Sequence, residues 1–229
     1  MPSKPDIHDL FEKVARRYDL INDLQSLGLH RRWKQRVVEK LAFPAGGRIL
    51  DLACGSGDLA LQIQRRDPQT AVFGGDLSRT MLRIAARRQA ADSIRWLNLD
   101  ALRLPFRDQT FHAVTIGYGL RNFPDRPAAL DEIRRILKPG GRLVILEFAH
   151  PPSRPMRILY SIFLRTFPPL FGWLLLGDRA AYDYILESLA RYPTPIEISR
   201  LLEAHGFSEA VCDPLMGGAM TIHSAAVKA

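Results

Sequence analysis

The chain has 229 residues, with 32 lysines and arginines against 24 aspartates and glutamates, and a formal net charge of +8. Its 47% hydrophobic and 24% charged residues are typical of a globular domain and exclude intrinsic disorder and a coiled coil. A chain of this length can bury a full core, and one domain is the expected organisation. The basic excess favours an anionic partner, either nucleic acid or a membrane surface.

The cysteine content indicates a reducing compartment. Cys54 and Cys212 cannot build a disulfide framework, and neither has a nearby Cys or His at metal-ligand spacing. The polar amino terminus lacks the apolar run of a secretory signal. We therefore expect a cytoplasmic, thiol-reduced protein without a metal site.

The hydrophobic pattern predicts an α/β fold. Apolar residues recur at helical spacing from residue 7 to about residue 41, which predicts two or three helices before the first strand. Strand-like runs then alternate with helical ones, which is typical of a doubly wound sheet. The predicted strands cover residues 48–53, 71–76, 94–98, 111–116 and 142–148. The helices between them cover 58–66, 79–91 and 128–137, and the Lys-Pro-Gly-Gly sequence at 138–141 predicts a turn.

The composition changes after Pro151. Residues 158–176 contain one charge, Arg165, but Pro168-Pro169 in the middle argues against a membrane-spanning helix and favours two short apolar helices over a pocket. A helix over 195–204 and two strands over 208–215 and 220–227 follow, the strands forming a hairpin at the sheet edge. The single domain 1–229 is thus predicted to comprise a helical cap (1–45), a core (46–150), a helical lid (151–205) and a terminal hairpin (206–229).

The segment 51–58, Asp-Leu-Ala-Cys-Gly-Ser-Gly-Asp, lies where an α/β sheet binds a nucleotide-like ligand. Its glycines allow close approach of the backbone, and the following helix offers free N–H groups, although a plain tight turn is the alternative. Asp76 and Asp100 end the next two predicted strands, where carboxylates can accept hydrogen bonds from a ribose and lie near an adenine. Helix capping is the competing interpretation of these aspartates.

Two cofactors suit this arrangement, a nicotinamide dinucleotide and S-adenosylmethionine. The dinucleotide brings a negatively charged pyrophosphate, whereas S-adenosylmethionine brings a positive sulfur and an amino group. A site surrounded by Asp51, Asp58, Asp76 and Asp100 favours the cation. The terminal hairpin favours the methyltransferase version of the fold by analogy.

Several sequence motifs resemble those of known protein families. Segments 51–58, 74–76, 100–101, 104–106 and 137–141 together resemble a class I S-adenosylmethionine-dependent methyltransferase. Segments 18–23 with 26–34, 117–123, and 182–188 with Phe207 and 217–224 resemble the ubiquinone/menaquinone-biosynthesis C-methyltransferase family. The resemblance extends from Phe11 to Ala225, with Ser56 where many relatives have Thr and Gly117 where some have Ser. It implies a Rossmann-like, doubly wound seven-stranded sheet with amino-terminal helices and an inserted helical lid.

The resemblance also implies the site residues. Those expected to contact the cofactor are Asp51, Gly55, Ser56, Gly57, Asp76, Leu77, Asp100, Ala101 and Gly117. Those expected to contact the acceptor are Asn22, Tyr118, Phe163, Phe171, Trp173 and Tyr182.

The implied reaction is methylation of a ring carbon of a reduced polyprenyl quinone precursor. A phenol of pKa near 10 must lose its proton for the ring to become strongly nucleophilic. Arg121, a permanent cation after the fourth strand, can stabilise the phenolate or polarise a water molecule. Asn122 can orient the ring hydroxyl, and Tyr18 can close the opposite side. His150 is the best-placed histidine for a general base, with a surface histidine beside Pro151 as the alternative, and Glu147 can act as a base or brace Arg121.

The acceptor and the partners stay open at this stage. Demethylmenaquinol is favoured, with 2-polyprenyl-6-methoxy-1,4-benzoquinol as the alternative. Two hypotheses from other functional classes are a nucleic-acid methyltransferase and a non-catalytic cofactor-binding protein. No aromatic-basic binding module or base-flipping motif supports the first, and the Arg121-Asn122 pair argues against the second. The apolar lid, with Arg154, Arg157 and Arg165, suggests peripheral contact with an anionic membrane. The family further suggests a homodimer.

Overall fold

The computed structural model describes Asp23, Ser26 and residues 28–88, 90–176 and 186–228, with side chains in all of these except 167–176. The helices are α1 (Leu29–Lys40), α2 (Asp58–Arg66), α3 (Arg79–Ala86), α4 (Arg126–Ile136), α5 (Arg154–Leu176) and α6 (Pro195–Ala204). The strands are β1 (Arg48–Leu52), β2 (Ala71–Asp76), β3 (Arg95–Asn98), β4 (Phe111–Gly117), β5 (Leu137–Phe148), β6 (Phe207–Leu215) and β7 (Met220–Val227).

The strands form one seven-stranded sheet in the order β3-β2-β1-β4-β5-β7-β6. Strands β1 to β5 are parallel, whereas β7 is antiparallel to both β5 and β6. The predicted terminal hairpin is therefore present at the sheet edge. Because β1 to β4 run in the same direction, the loops that follow them meet at one edge of the sheet, where ligands of such sheets bind.

Helices cover both faces of the sheet and bury two apolar clusters. On one face α1 and α2 pack over Ile49, and on the other α4 and α6 pack over Leu50. Ile49 and Leu50 are neighbours on β1 and are both fully buried, because successive strand residues point to opposite faces. Burial on both faces explains why the core strands are almost continuously apolar.

Local sequence explains where three of the helices begin. Ser78 accepts a hydrogen bond from Met81 N at the start of α3, and Asp125 accepts one from Ala128 N at the start of α4. At α6, Thr194 and Glu197 form a reciprocal capping box. These side chains satisfy N–H groups that have no partner within the helix. Because Asp125 is the cap, α4 begins at residue 126 rather than at the predicted residue 128.

Three further predictions of where elements begin or end were wrong. Helix α3 ends at Ala86 instead of residue 91, because Ala90 adopts a left-handed φ of 66° and residues 91–93 form a separate 3-10 turn. The predicted turn at 138–141 lies within β5, because Leu137 already pairs with Phe111 and the ladder resumes at Arg142. The first strand ends at Leu52, since Ala53 has a φ of 55°.

The predicted pair of short helices around Pro168-Pro169 was also wrong, since α5 is one 23-residue helix. A proline loses its own N–H donor and crowds the preceding turn, yet the other hydrogen bonds of the flanking turns can carry the helix through. Among the helices of the described residues, none combines the length and the apolar character needed to cross a bilayer.

Candidate active site

A pocket of about 360 Å³ opens at the edge of the sheet where β1, β2, β3 and β4 end. Its walls come from the loops after these four strands and from α3: Leu52, Ala53, Gly55, Asp76, Leu77, Ser78, Met81, Leu99, Asp100, Ala101, Leu102, Gly117, Tyr118, Gly119, Asn122, Phe123 and Pro124. Asp76 and Asp100 are its only charged wall residues within the described part of the chain. The pocket therefore suits a ligand that is mainly apolar and carries positive charge.

The glycine-rich loop between β1 and α2 needs glycine for close packing. Gly57 has a φ of 80°, and a Cβ atom there would lie 2.5 Å from the Trp96 ring of β3. In the loop after β4, a Cβ atom on Gly119 would lie 2.6 Å from the Ala53 Cβ. Both loops therefore approach their neighbours at distances that only glycine permits.

Asp76 connects the loop after β1 with the loop after β2. Its Oδ2 accepts a hydrogen bond from Gly55 N at 2.7 Å, and its Oδ1 accepts one from Ser78 N at 2.8 Å. A carboxylate has about four acceptor positions, so Asp76 can hold both loops and still accept hydrogen bonds from a ribose. Asp100, farther along the wall, accepts a hydrogen bond from Leu102 N at 2.9 Å.

Asp51 is buried beside the pocket and is not one of its wall residues, so its predicted cofactor contact stays a prediction. The residue is 1% exposed, and its carboxylate accepts hydrogen bonds from Ala60 N at 3.0 Å and Thr115 Oγ1 at 2.8 Å. Burial raises the pKa of Asp51 to about 7, against the opposing effects of the Thr115 hydrogen bond and the Lys34 charge. Asp51 thus anchors the first turn of α2.

We expect Thr115→Val to cost more stability at about pH 8 than at about pH 5. Between the unfolded pKa of 3.8 and the folded value of about 7, the native state keeps a proton on Asp51 that the unfolded state loses, so this group lowers stability as pH rises. Above the folded pKa the Asp51 carboxylate is ionised, and it then depends most on the hydrogen bond that Thr115 Oγ1 donates. The expected cost is about 2 kcal/mol at the higher pH and about 1 kcal/mol at the lower one, measured by urea unfolding. Equal costs at both pH values would contradict this role.

Ser56, Gly57 and Asp58 are likewise not wall residues of the pocket, and the predicted cofactor contacts of Ser56 and Gly57 stay predictions. The Ser56 carbonyl accepts a hydrogen bond from Arg88 Nη1 at 3.2 Å. Asp58 forms ion pairs with Lys34 Nζ at 2.7 Å and Arg88 Nη2 at 3.4 Å. Burial opposes ionisation of Asp58, but the charges of Lys34 and Arg88 outweigh it and hold the pKa of its carboxyl below the usual value. The predicted residues that do line the pocket are Gly55, Asp76, Leu77, Asp100, Ala101, Gly117, Tyr118 and Asn122.

Arg121 points inward and is bound to Glu147. Its Nη1 donates to Glu147 Oε1 at 2.5 Å and to the Tyr118 carbonyl at 2.8 Å, and its backbone N donates to Glu147 Oε2 at 3.2 Å. The two side chains are 7% and 0% exposed, and the guanidinium lies 4.9 Å from the centre of the Phe148 ring. Of the two sequence hypotheses for Glu147, the structure supports the brace, because Arg121 donates hydrogen bonds to both oxygens of its carboxylate.

The Arg121–Glu147 pair fixes the loop that carries Tyr118 and Asn122. Tyr118 has a left-handed φ of 61°, and its carbonyl is held by Arg121. Its ring packs on Phe148 with 5.4 Å between centroids. Asn122 closes the short 3-10 turn that follows and lines the pocket. Arg121 itself is not on the pocket wall, and its predicted role toward the acceptor stays a prediction.

The remaining predicted residues lie outside the pocket wall or outside the described part. His150 Nε2 donates to the Leu189 carbonyl at 3.0 Å, and Phe163 is half-buried on α5. Tyr18, Asn22 and Tyr182 lie outside the described residues, as do the side chains of Phe171 and Trp173. Their predicted roles stay predictions.

Sequence reasoning missed several residues that the structure brings to the site. Ser78 and Met81 form the wall at the start of α3, and the capping position of Ser78 was a detectable signal. Phe123 and Pro124 complete the wall after Asn122. Tyr160 on α5 has a buried hydroxyl, and burial raises its pKa, with Arg121 opposing and Glu147 adding to the shift. Only the helical period of α5 pointed to Tyr160, and that period does not identify a neighbour.

These features coincide with a known family. The model of the ubiE/COQ5 methyltransferase family matches residues 2–228. The chain belongs to this family. Its members are methyltransferases, and the predicted family, enzyme class and S-adenosylmethionine dependence are thereby confirmed.

The relatives are similar over most of their length. A demethylmenaquinone methyltransferase of Thermus thermophilus is 44% identical over 87% of this chain and 91% of that protein. A 2-phytyl-1,4-naphtoquinone methyltransferase of Thermosynechococcus vestitus is 42% identical over 95% of this chain and 97% of that protein. The ubiquinone/menaquinone biosynthesis C-methyltransferase UbiE of Desulfotalea psychrophila is 39% identical over 96% and 89%. Among solved structures, a SAM-dependent methyltransferase of Thermotoga maritima has a TM-score of 0.69 at 20% identity, covering 97% of this chain and 100% of that one. The predicted Rossmann-like class I fold is confirmed.

The charge of the pocket wall fits S-adenosylmethionine. Two carboxylates and no basic side chain line it within the described residues, which matches a ligand with a sulfonium and an amino group. A pyrophosphate would find no cation on this wall. Within the same residues, no set of three His, Cys, Asp or Glu side chains is arranged to hold a metal ion.

Proposed function

We propose that this enzyme transfers the methyl group of S-adenosylmethionine to a ring carbon of demethylmenaquinol, the reduced form of a polyprenyl naphthoquinone. The observation that carries the proposal is the acidic pocket closed by the Tyr118–Asn122 loop, which the buried Arg121–Glu147 pair holds in place. The names of the Thermus and Thermosynechococcus relatives, both of which refer to naphthoquinones or menaquinone, support this acceptor class. The methoxylated benzoquinol of ubiquinone assembly is the alternative acceptor.

Cofactor binding falls to the residues on the β1, β2 and β3 side of the pocket. Bound S-adenosylmethionine supplies a methyl group on a positively charged sulfur. Asp76 would hold its ribose hydroxyls, and Asp100 and Ala101 would lie beside the adenine. Gly55 and Gly117 leave room for the ligand next to the backbone. The acidic wall favours the charged sulfonium and amino group over neutral competitors.

The acceptor would be activated on the β4 side of the pocket. A phenol is mostly protonated near neutral pH, so the ring becomes nucleophilic only when its hydroxyl proton is removed or partly transferred. The Asn122 amide, on the wall, can orient that hydroxyl, and the Arg121 charge favours the phenolate. With its proton on Nε2 toward Leu189, His150 presents Nδ1 as the basic nitrogen, and we propose it as the proton acceptor.

The apolar tail of the acceptor would leave the pocket along α5. Ile158, Leu159 and Ile162 form an exposed apolar patch on this helix, with 57%, 62% and 57% of their surface accessible. Arg157 and Arg165 flank the patch. Exposed aliphatic side chains beside arginines suit the headgroup region of an anionic bilayer. We therefore propose a cytoplasmic enzyme that visits the inner face of the cell membrane.

We expect the double substitution Leu159→Asp and Ile162→Asp to abolish association with vesicles that contain phosphatidylglycerol, as measured by co-sedimentation. Burying two aliphatic side chains in the interface contributes about 2 to 4 kcal/mol, which two carboxylates would remove and replace by repulsion. Ile196→Asp with Val211→Asp is the charge-matched control, because these residues are 65% and 51% exposed on α6 and β6 and lie outside the patch. Unchanged sedimentation of the double variant would contradict membrane contact through α5.

The acceptor is tested by competition. The purified enzyme would receive S-adenosylmethionine together with demethylmenaquinol and the methoxylated benzoquinol, both reduced and with the same isoprenoid tail. We expect kcat/KM for the naphthoquinol to be the larger by at least about tenfold, which corresponds to about 1.4 kcal/mol in the transition state. A preference for the benzoquinol would overturn the naphthoquinol assignment and leave the reaction class in place.

We also propose that the enzyme is a homodimer, which rests on the family resemblance alone. Sedimentation equilibrium tests it directly, because a monomeric mass over the working concentration range would contradict it.

A further inference from the structure

We propose that a groove between α1 and α2 binds a phosphate-bearing anion at a site separate from the active-site pocket. The groove has a volume of about 690 Å³, and Arg31, Arg32, Arg65, Arg66 and Arg88 line it. Arg31 and Arg32 come from α1, Arg65 and Arg66 from the last turn of α2, and Arg88 from the segment after α3. The groove and the active-site pocket have no wall residue in common.

The positive charge of the groove exceeds its negative charge. Among the described residues, Asp58 and Glu39 are its acidic wall residues, against five arginines. Asp58 is already bound by Lys34, whose buried Nζ lies 2.7 Å from Oδ2, and by Arg88 at 3.4 Å. Arg31 is paired with Asp23 at 2.6 Å. Lys34 neutralises Asp58, and Asp23 neutralises Arg31. The remaining positive charge therefore lies toward Arg32, Arg65 and Arg66.

Two features suit these arginines to a phosphate group. The Arg66 guanidinium donates to the Val38 carbonyl and lies 5.9 Å from the centre of the Phe43 ring, so it is ordered by neutral groups that leave its charge intact. Arg32 and Arg65 are exposed on adjacent helices. A guanidinium offers paired N–H donors that match phosphate oxygens, and several around one groove bind a phosphate more strongly than separate surface cations.

The ligand has two sources with the same chemistry, the headgroup of an anionic phospholipid and a free polyphosphate. Both present several phosphate oxygens to the arginines. The pocket wall selects for positive charge, whereas this groove selects for negative charge, so one ligand cannot serve both sites. The groove accounts for part of the +8 net charge that neither the acidic pocket nor α5 explains.

The test uses tripolyphosphate in titration calorimetry and vesicles of phosphatidylglycerol in phosphatidylcholine in co-sedimentation. The groove variant carries Arg32→Gln and Arg65→Gln. Its control carries Arg107→Gln and Arg200→Gln, two exposed arginines outside the groove, so that the net charge of the two variants is equal. Affinity for S-adenosylmethionine and the Tm are measured on each variant to establish that both are folded.

We expect saturable binding with one tripolyphosphate per chain, weakened at least about tenfold in the groove variant and less than about twofold in the control. Loss of vesicle binding without any tripolyphosphate binding would also support the groove and would identify the lipid headgroup as its ligand. Equal losses in the two variants would show an effect of net charge only and overturn the proposal. Absence of saturable binding of either probe would overturn it as well.

Discussion

Asp76→Ala is expected to reduce the affinity for S-adenosylmethionine by about two orders of magnitude. The Asp76 carboxylate lines the pocket and holds Gly55 N and Ser78 N at 2.7 and 2.8 Å. Its loss would remove the proposed acceptor for the ribose hydroxyls and release both loops. Hydrogen bonds to a charged group contribute about 1.5 to 3 kcal/mol, and about 2.8 kcal/mol corresponds to a hundredfold change in affinity. Titration calorimetry measures this directly.

Asp125→Ala is the control for the Asp76 variant. Asp125 also accepts a backbone hydrogen bond, from Ala128 N at 3.0 Å, but lies at the start of α4 and outside the pocket wall. Removing a helix cap costs about 1 kcal/mol of stability, so this variant should lower the Tm without changing cofactor affinity. A folded Asp76→Ala protein that binds S-adenosylmethionine within about threefold of the wild type would contradict the proposed role of Asp76.

Arg121→Met is expected to abolish turnover and to destabilise the fold by about 3 to 5 kcal/mol. Glu147 is fully buried, and the substitution would leave its carboxylate without the guanidinium that it now contacts at 2.5 Å. Removing one partner of a buried ion pair leaves an uncompensated charge, which is far more costly than removing both. Urea unfolding gives the stability, and a methyl-transfer assay gives the turnover.

The double variant Arg121→Met and Glu147→Gln separates the structural effect from the catalytic one. It should recover most of the lost stability, because no buried charge is left unpaired. It should also bind S-adenosylmethionine, since neither residue lines the pocket. Its turnover should stay below about 1% of the wild type, because the charge that favours the phenolate is absent. Normal turnover by this stable double variant would remove Arg121 from the mechanism.

The sequence predicted the fold where local signals and the tertiary structure agree. Strands β1 to β4, the hairpin and α6 were predicted within a residue or two, because apolar runs and caps such as Thr194 carry the information locally. Helix α5 was misjudged because two consecutive prolines usually end a helix, and its continuation depends on the flanking turns. The start of β5 at Leu137 was missed because it depends on pairing with Phe111 of β4, which no local pattern encodes.

The candidate site was predictable by position but less so by side-chain direction. Asp51 lies two residues after Ile49 on β1, so strand alternation already places both on the α2 face. The sequence left two roles open for Glu147, base or brace of Arg121, and the β4–β5 register, in which Gly117 pairs with Leu146, brings the two side chains together. The acidic wall was predicted through Asp76 and Asp100, since both follow the ends of parallel strands.

The position of the transferred methyl group tests the central claim most directly. The purified enzyme would be incubated with S-adenosylmethionine carrying a 13C-labelled methyl group and with demethylmenaquinol kept under a reductant, and the extracted product examined by NMR and mass spectrometry. The account predicts one labelled methyl on a ring carbon, with no transfer to the oxidised quinone. A label on oxygen, equal transfer to the oxidised form, or no label in the lipid while the enzyme binds S-adenosylmethionine would contradict it.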